Sequence, residues 1–244
     1  MMLSAQARTV ASITLRATMG RRRALIFAIP PVILVLVSAL LKAASPERAD
    51  WPSLILGGFG LAVVLPLTAL IIGTSVLGAE IDDGSVVHLL ATPVPRSTVI
   101  LTKFAVGTGL TMIFAAVPEL LAGLIATGGV TRLAIGLFAG ALVGSVIYNA
   151  LFVMISVLTT RAIAVGLLYL LVWESLLSNV VGGVRVLSVE QYSLGIANSI
   201  ARDTNLDAHL GLATAVIMGA LVTVVTLALA IRRLAAFSLK GDAV

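Results

Sequence analysis

The chain has 244 residues, of which 59% are hydrophobic and 11% charged, with a mean hydropathy of +1.14 and a formal charge of +5. Soluble domains are about 45–50% apolar and about 25% charged, so this composition excludes a water-soluble fold and makes lipid the main solvent. The absence of cysteine excludes disulfides and thiolate metal sites, and the basic residues sit at the ends of apolar runs, a pattern that orients a membrane protein rather than one that binds nucleic acid.

Residues 1–23 read as an amphipathic helix of the membrane interface, with Leu3, Val10, Ile13 and Met19 set among alanines, Arg8 and Arg16, and closed by Arg21, Arg22 and Arg23. The first span is expected over about 24–41, with Pro30 and Pro31 inside it. A cleaved signal peptide is the competing reading of this basic-then-apolar start, and the length of the run and the spans that follow favour an anchor. Further spans are expected over about 53–78, 99–126, 133–158, 162–184 and 210–234. The expected fold is therefore all-α and integral to the membrane, one domain over residues 1–244 with six transmembrane helices. Barrel strands would alternate and be shorter.

With the N-terminus inside, inner segments carry Arg8, Arg16, Arg21, Arg22, Arg23, Arg96, Lys103, Arg161, Arg232, Arg233 and Lys240. Outer segments carry only Lys42, Arg48, Arg132, Arg185 and Arg202. Eleven against five puts both termini in the cytoplasm, the 80–96 insert on the same side and the 185–209 loop outside. Within that loop Ser188-Val-Glu-Gln191 fits a capping box, followed by Leu194, Ile196 and Ile200 on one side of a short helix. Such a helix either dips back toward the bilayer or lies capped on the surface.

Three polar residues fall inside spans. Glu174 is about 18 Å from the inner end of the fifth span and Asn149 about 14 Å from the same side on the fourth, so the two meet if these helices pack together. Glu119, after Pro118, lies in the outer part of the third span. A carboxylate at mid-membrane costs about 3 kcal/mol and faces a bundle interior or cavity, which makes these three candidate contacts of a substrate pathway. Structural hydrogen bonding between helices is the plainer reading. Gly136, Gly140 and Gly144 line one face of the fourth span, a signature of close helix packing.

No G-x-x-x-x-G-K-[ST] loop occurs, and Lys42, Lys103 and Lys240 are the only lysines, so the chain lacks that route to a nucleotide phosphate. An intramembrane hydrolase is disfavoured as well, since His88 and His209 fall outside the spans and every Asp lies in a loop or tail. The polar insert is the remaining feature. Asp82 and Asp83 precede a short helical pattern with Val86, Leu89 and Leu90 on one side; Thr92-Pro-Val-Pro95 stops it, and Ser97 is placed to cap the next span.

Glu80, Asp82, Gly84, Leu89-Leu90, Pro93, Arg96 and Lys103 together resemble the motif of ABC-2-type exporter permeases, with Pro95 and Ser85 as departures. The resemblance implies a cytoplasmic coupling helix between spans two and three, built from Glu80, Asp82, Asp83, Gly84, His88, Leu89, Leu90, Pro93 and Arg96. It also implies a helical extracellular loop between spans five and six. The coupling helix would dock on a separate ATP-binding-cassette ATPase that holds the ATP and Mg, while this chain binds no cofactor itself. Two permeases, identical or paralogous, would pair with two ATPases in a bacterial cytoplasmic membrane and export a substrate of open class. An ion-gradient-driven transporter or channel using Glu174, and an assembly protein without transport, are the competing expectations.

Overall fold

The computed structural model describes residues 2–45, 50–82, 95–178 and 183–237, and among these every regular element is helical. In chain order they are α1 (Met2–Thr18), α2 (Arg21–Ala44), α3 (51–82), α4 (Arg96–Thr127), α5 (Arg132–Leu158), α6 (Ala162–Leu177), a 3-10 turn (Val184–Leu187), α7 (Val189–Ala201) and α8 (Leu212–Phe237). Five segments among the described residues are long and apolar enough to cross a membrane: Leu25–Ala44, Trp51–Leu77, Arg96–Thr127, Arg132–Leu158 and Leu212–Ala236. In the place of the fifth span expected over 162–184, α6 is apolar but shorter, and residues 179–182 lie outside the described set.

Two expected boundaries move for clear reasons. Arg21 opens α2, so Arg21, Arg22 and Arg23 belong to that helix and not to an interfacial helix ending at residue 23. Likewise α4 starts at Arg96 with Pro95 as its N-cap and no side-chain cap bond, so Ser97 sits inside the first turn instead of capping it. Proline has its φ preset and no N–H to satisfy, so a helix can begin directly after it.

α5 is the central helix. It packs against α3, α4, α7 and α8 and buries Tyr148, Asn149, Phe152 and Val153. Thr131 caps its start by accepting from the Ala134 N–H, and Gly128, at φ 74, supplies the left-handed residue that ends α4. The outward surface is apolar, with Leu40 at 68%, Val224 at 66% and Ile217 at 65% exposure, as a bundle solvated by hydrocarbon requires.

Two of the long helices share a defect. α3 has a π-helical stretch at Leu56–Val64 and α4 has one at Met112–Ala116, and each ends two residues before a proline, Pro66 or Pro118. A proline inside a helix lacks the N–H of one rung and crowds the carbonyl four residues earlier. Widening the preceding turn relieves the crowding at the cost of one surplus residue in the turn. α6 holds a third such stretch, Tyr169–Leu177, with no proline in it.

Candidate functional site

The three glycines of α5 receive α7. A Cβ at Gly136 would overlap the Ala197 carbonyl, one at Gly140 would stand 2.5 Å from the Ser193 carbonyl oxygen, and one at Gly144 would meet the Ser193 hydroxyl at 2.5 Å. The partner of the glycine face is thus in the same chain. α7 is no surface helix, because Val189, Tyr192, Leu194 and Ala197 are buried. Its order along α5 runs from Ala197 beside Gly136 to Ser193 beside Gly144, which sends its N-terminus toward the middle of the bundle.

Glu174 waits at that N-terminus. It is 3% exposed, and its Oε1 accepts from the Tyr169 hydroxyl (2.8 Å) and the Val189 N–H (3.0 Å), while Oε2 accepts from the Ser188 hydroxyl (2.5 Å). Ser188 is the N-cap of α7 and its oxygen accepts in turn from the Gln191 N–H at 3.2 Å. A carboxylate from one helix therefore completes the cap of another, where the helix dipole favours negative charge. The Tyr169 bond exists only because of the π-helical stretch. At 3.6 residues per turn, positions five apart point about 140° away from each other, whereas an i to i+5 turn stacks them. Two more bonds in the same stretch span five residues: the Ser178 hydroxyl donates to the Trp173 carbonyl (2.9 Å) and that of Ser175 to Leu170 (3.2 Å).

The rest of the loop is tied down as firmly. The indole of Trp173 donates to the Leu187 carbonyl (3.3 Å), Arg185 Nε to Ser178 (3.0 Å) and the Tyr192 hydroxyl to Val186 (2.6 Å). Only half of the expected capping box forms. The Gln191 side chain turns forward, donating to the Asp207 carbonyl (3.3 Å) and accepting from the His209 N–H (3.0 Å), so it fastens the approach to α8.

Asn149 and Glu174 do not bond each other. Fully buried Asn149 donates to the Thr111 hydroxyl at 2.7 Å and the Ser145 carbonyl at 2.9 Å, and Gly73 of α3 and Gly107 of α4 close over its Oδ1. It knits α3, α4 and α5, while the hydroxyl of its neighbour Tyr148 is near enough to feel the Glu174 carboxylate electrostatically.

Glu119 does not reach the outer interface. It is 1% exposed, its carboxylate rests on Gly60 in the π-helical stretch of α3, and its Oε1 has no hydrogen-bond partner among the described residues. A Cβ at position 60 would overlap the carboxylate, so the buried Glu119 side chain must shift to admit one. Alanine for glycine inside a helix ordinarily stabilises by about 1 kcal/mol, but overpacking costs about 1–3 kcal/mol, so the clash decides the sign. Gly60→Ala is expected to lower the melting temperature in detergent, and adding Glu119→Ala is expected to recover most of the loss. Additive effects in that double-mutant cycle would refute the contact.

The insert's residues divide. Asp83, Gly84, His88, Leu89, Leu90 and Pro93 lie outside the described residues; Glu80 and Asp82 are in the last turn of α3, and Arg96 opens α4. Both ends of the insert thus emerge side by side, because Leu65–Asp82 packs along Arg96–Thr111. Lys103 pins them together. It is fully buried and its Nζ donates to the Val76 carbonyl at 2.8 Å. α1 lies against the same ends of α3 and α4.

Residues 21–190 match the model of a family described as ABC-2 family transporter protein. A search of curated proteins found no match.

Proposed function

The chain belongs to the ABC-2 family of transporter proteins and is a multi-pass membrane permease, a kind of subunit that partners an ATP-binding-cassette ATPase; from that membership we propose that it is the transmembrane half of an exporter, moved by a separate ATPase docked on its 80–96 segment. Six crossings are part of this reading, with α6 supplying the fifth, both termini cytoplasmic and α7 re-entering the bilayer from outside in a bacterial plasma membrane. The carrying observation is the pinned base of α3 and α4: a fully buried lysine holds the two flanks of the insert as one lever. ATP and Mg would be held by the ATPase, and two permease copies would enclose the pathway.

The competing reading, an ion-gradient transporter centred on Glu174, is less well supported, since both oxygens of that carboxylate are already occupied by donors from its own chain. Leu89→Glu with Leu90→Glu is expected to abolish co-purification of the ATPase subunit while leaving the permease in the membrane. ATP-independent, proton-dependent flux lost in Glu174→Gln would overturn the exporter reading.

A further inference from the structure

The first 46 residues contain Arg8, Arg16, Arg21, Arg22, Arg23 and Lys42 and no acid; Glu47 is the first carboxylate of the chain. α1 is fastened to the bundle by one stripe, with Thr14 at 2% and Thr18 at 1% exposure. Arg8 and Arg16 are exposed, and so are Ile13 (57%), Leu15 (45%) and Met19 (41%). On a helix of 3.6 residues per turn, Ile13 and Leu15 flank the Thr14–Thr18 stripe, while Arg16 lies opposite it. A helix that shows both apolar and cationic groups, and carries no acid along its own length, calls for a partner offering hydrocarbon and anions together.

Continuity decides which partner. Only Met19 and Gly20 separate α1 from α2, whose Leu25 (66%) and Ile29 (56%) face outward on a segment long and apolar enough to cross the bilayer. The exposed face of α1 is therefore held within a few residues of the level where headgroups begin. We infer that α1 and the Arg21–Arg23 start of α2 form a docking surface for anionic phospholipid headgroups, with Ile13, Leu15 and Met19 entering the acyl boundary. Clustered arginine beside a membrane-spanning helix attracts anionic lipid within a Debye length, so the association is salt-sensitive. The surface does not depend on what the protein transports.

The test uses the full-length protein in nanodiscs of phosphatidylcholine, with or without about 30 mol% phosphatidylglycerol. Hydrogen exchange over residues 8–19 is expected to slow with phosphatidylglycerol and to return to the phosphatidylcholine rate in about 0.5 M NaCl. After detergent extraction from mixed bilayers, retained phosphatidylglycerol is expected to be enriched about fivefold or more over phosphatidylcholine. Joint replacement of Arg8, Arg16, Arg21, Arg22 and Arg23 by glutamine should remove that enrichment, and lysine at all five should keep it. Exchange that is indifferent to lipid charge and salt in the wild-type protein overturns the proposal without relying on a variant. So does a glutamine variant that keeps its lipid enrichment but loses the ATPase subunit, which would make the surface a protein dock.

Discussion

Glu174→Ala is expected to abolish transport while the ATPase subunit still co-purifies. Removing the carboxylate leaves the Val189 N–H, the Ser188 hydroxyl and the Tyr169 hydroxyl without their acceptor in a buried place. Each such group costs about 1–3 kcal/mol, so the loss of roughly 3–9 kcal/mol falls on the docking of α7 and not on the distant insert. Glu174→Gln separates two meanings of the residue. A glutamine oxygen still accepts from Val189 and Tyr169, so a hydrogen-bonding latch survives in large part. A site that works by carrying charge does not. Transport retained in Gln and lost in Ala identifies the latch; transport intact in Ala would mean that the cap is dispensable. Ligand-independent melting in detergent gives the stability half of the same measurement.

The second large effect belongs to the glycine face of α5. Gly140→Ala is expected to destabilise by about 2–3 kcal/mol and Gly140→Leu to prevent α7 from seating at all. The reason is the nature of the obstacle. A Cβ at Gly140 meets the Ser193 carbonyl, and backbone cannot rotate aside as a side chain can, so the whole of α7 must shift. Gly109→Ala is the internal control: nothing lies within 4 Å of a Cβ there, and alanine should be neutral or stabilising by about 1 kcal/mol. Protease cleavage within 183–209, fast in the Gly140 variants and slow in Gly109→Ala, would report the unseating. Equal cleavage and equal melting in both would show that the close approach does not hold α7.

Both expectations concern features the sequence disclosed unevenly. The Gly136, Gly140 and Gly144 spacing announced a close neighbour because a four-residue repeat falls on one helix face, yet it could not say whose helix that was. Ser188 was legible as a cap, since a serine three residues before a glutamine has few other uses at a helix start; the direction of Gln191 was not, because it depends on where Asp207 and His209 arrive. Glu174 and Asn149 stood out as polar residues in hydrocarbon, and their depths matched. Depth alone does not fix azimuth, and Asn149 turns to Thr111 and Ser145 instead of Glu174. Tyr169 was invisible as a partner of Glu174, since the α-helical period points the two apart. The resemblance to a transporter family rested mostly on residues 80–103, a segment whose middle lies outside the described residues, whereas the family match extends over residues 21–190.

The widened turns before Pro66 and Pro118 bear on how α3 and α4 move. A surplus residue in one turn offsets the angular register of a helix, so the face presented beyond the defect is rotated from the one an unbroken α-helix would present. Both helices carry an offset of this kind, α3 beyond Val76 and α4 between Lys103 and Glu119, so a displacement at the Lys103 end arrives at the far end on a differently aimed face.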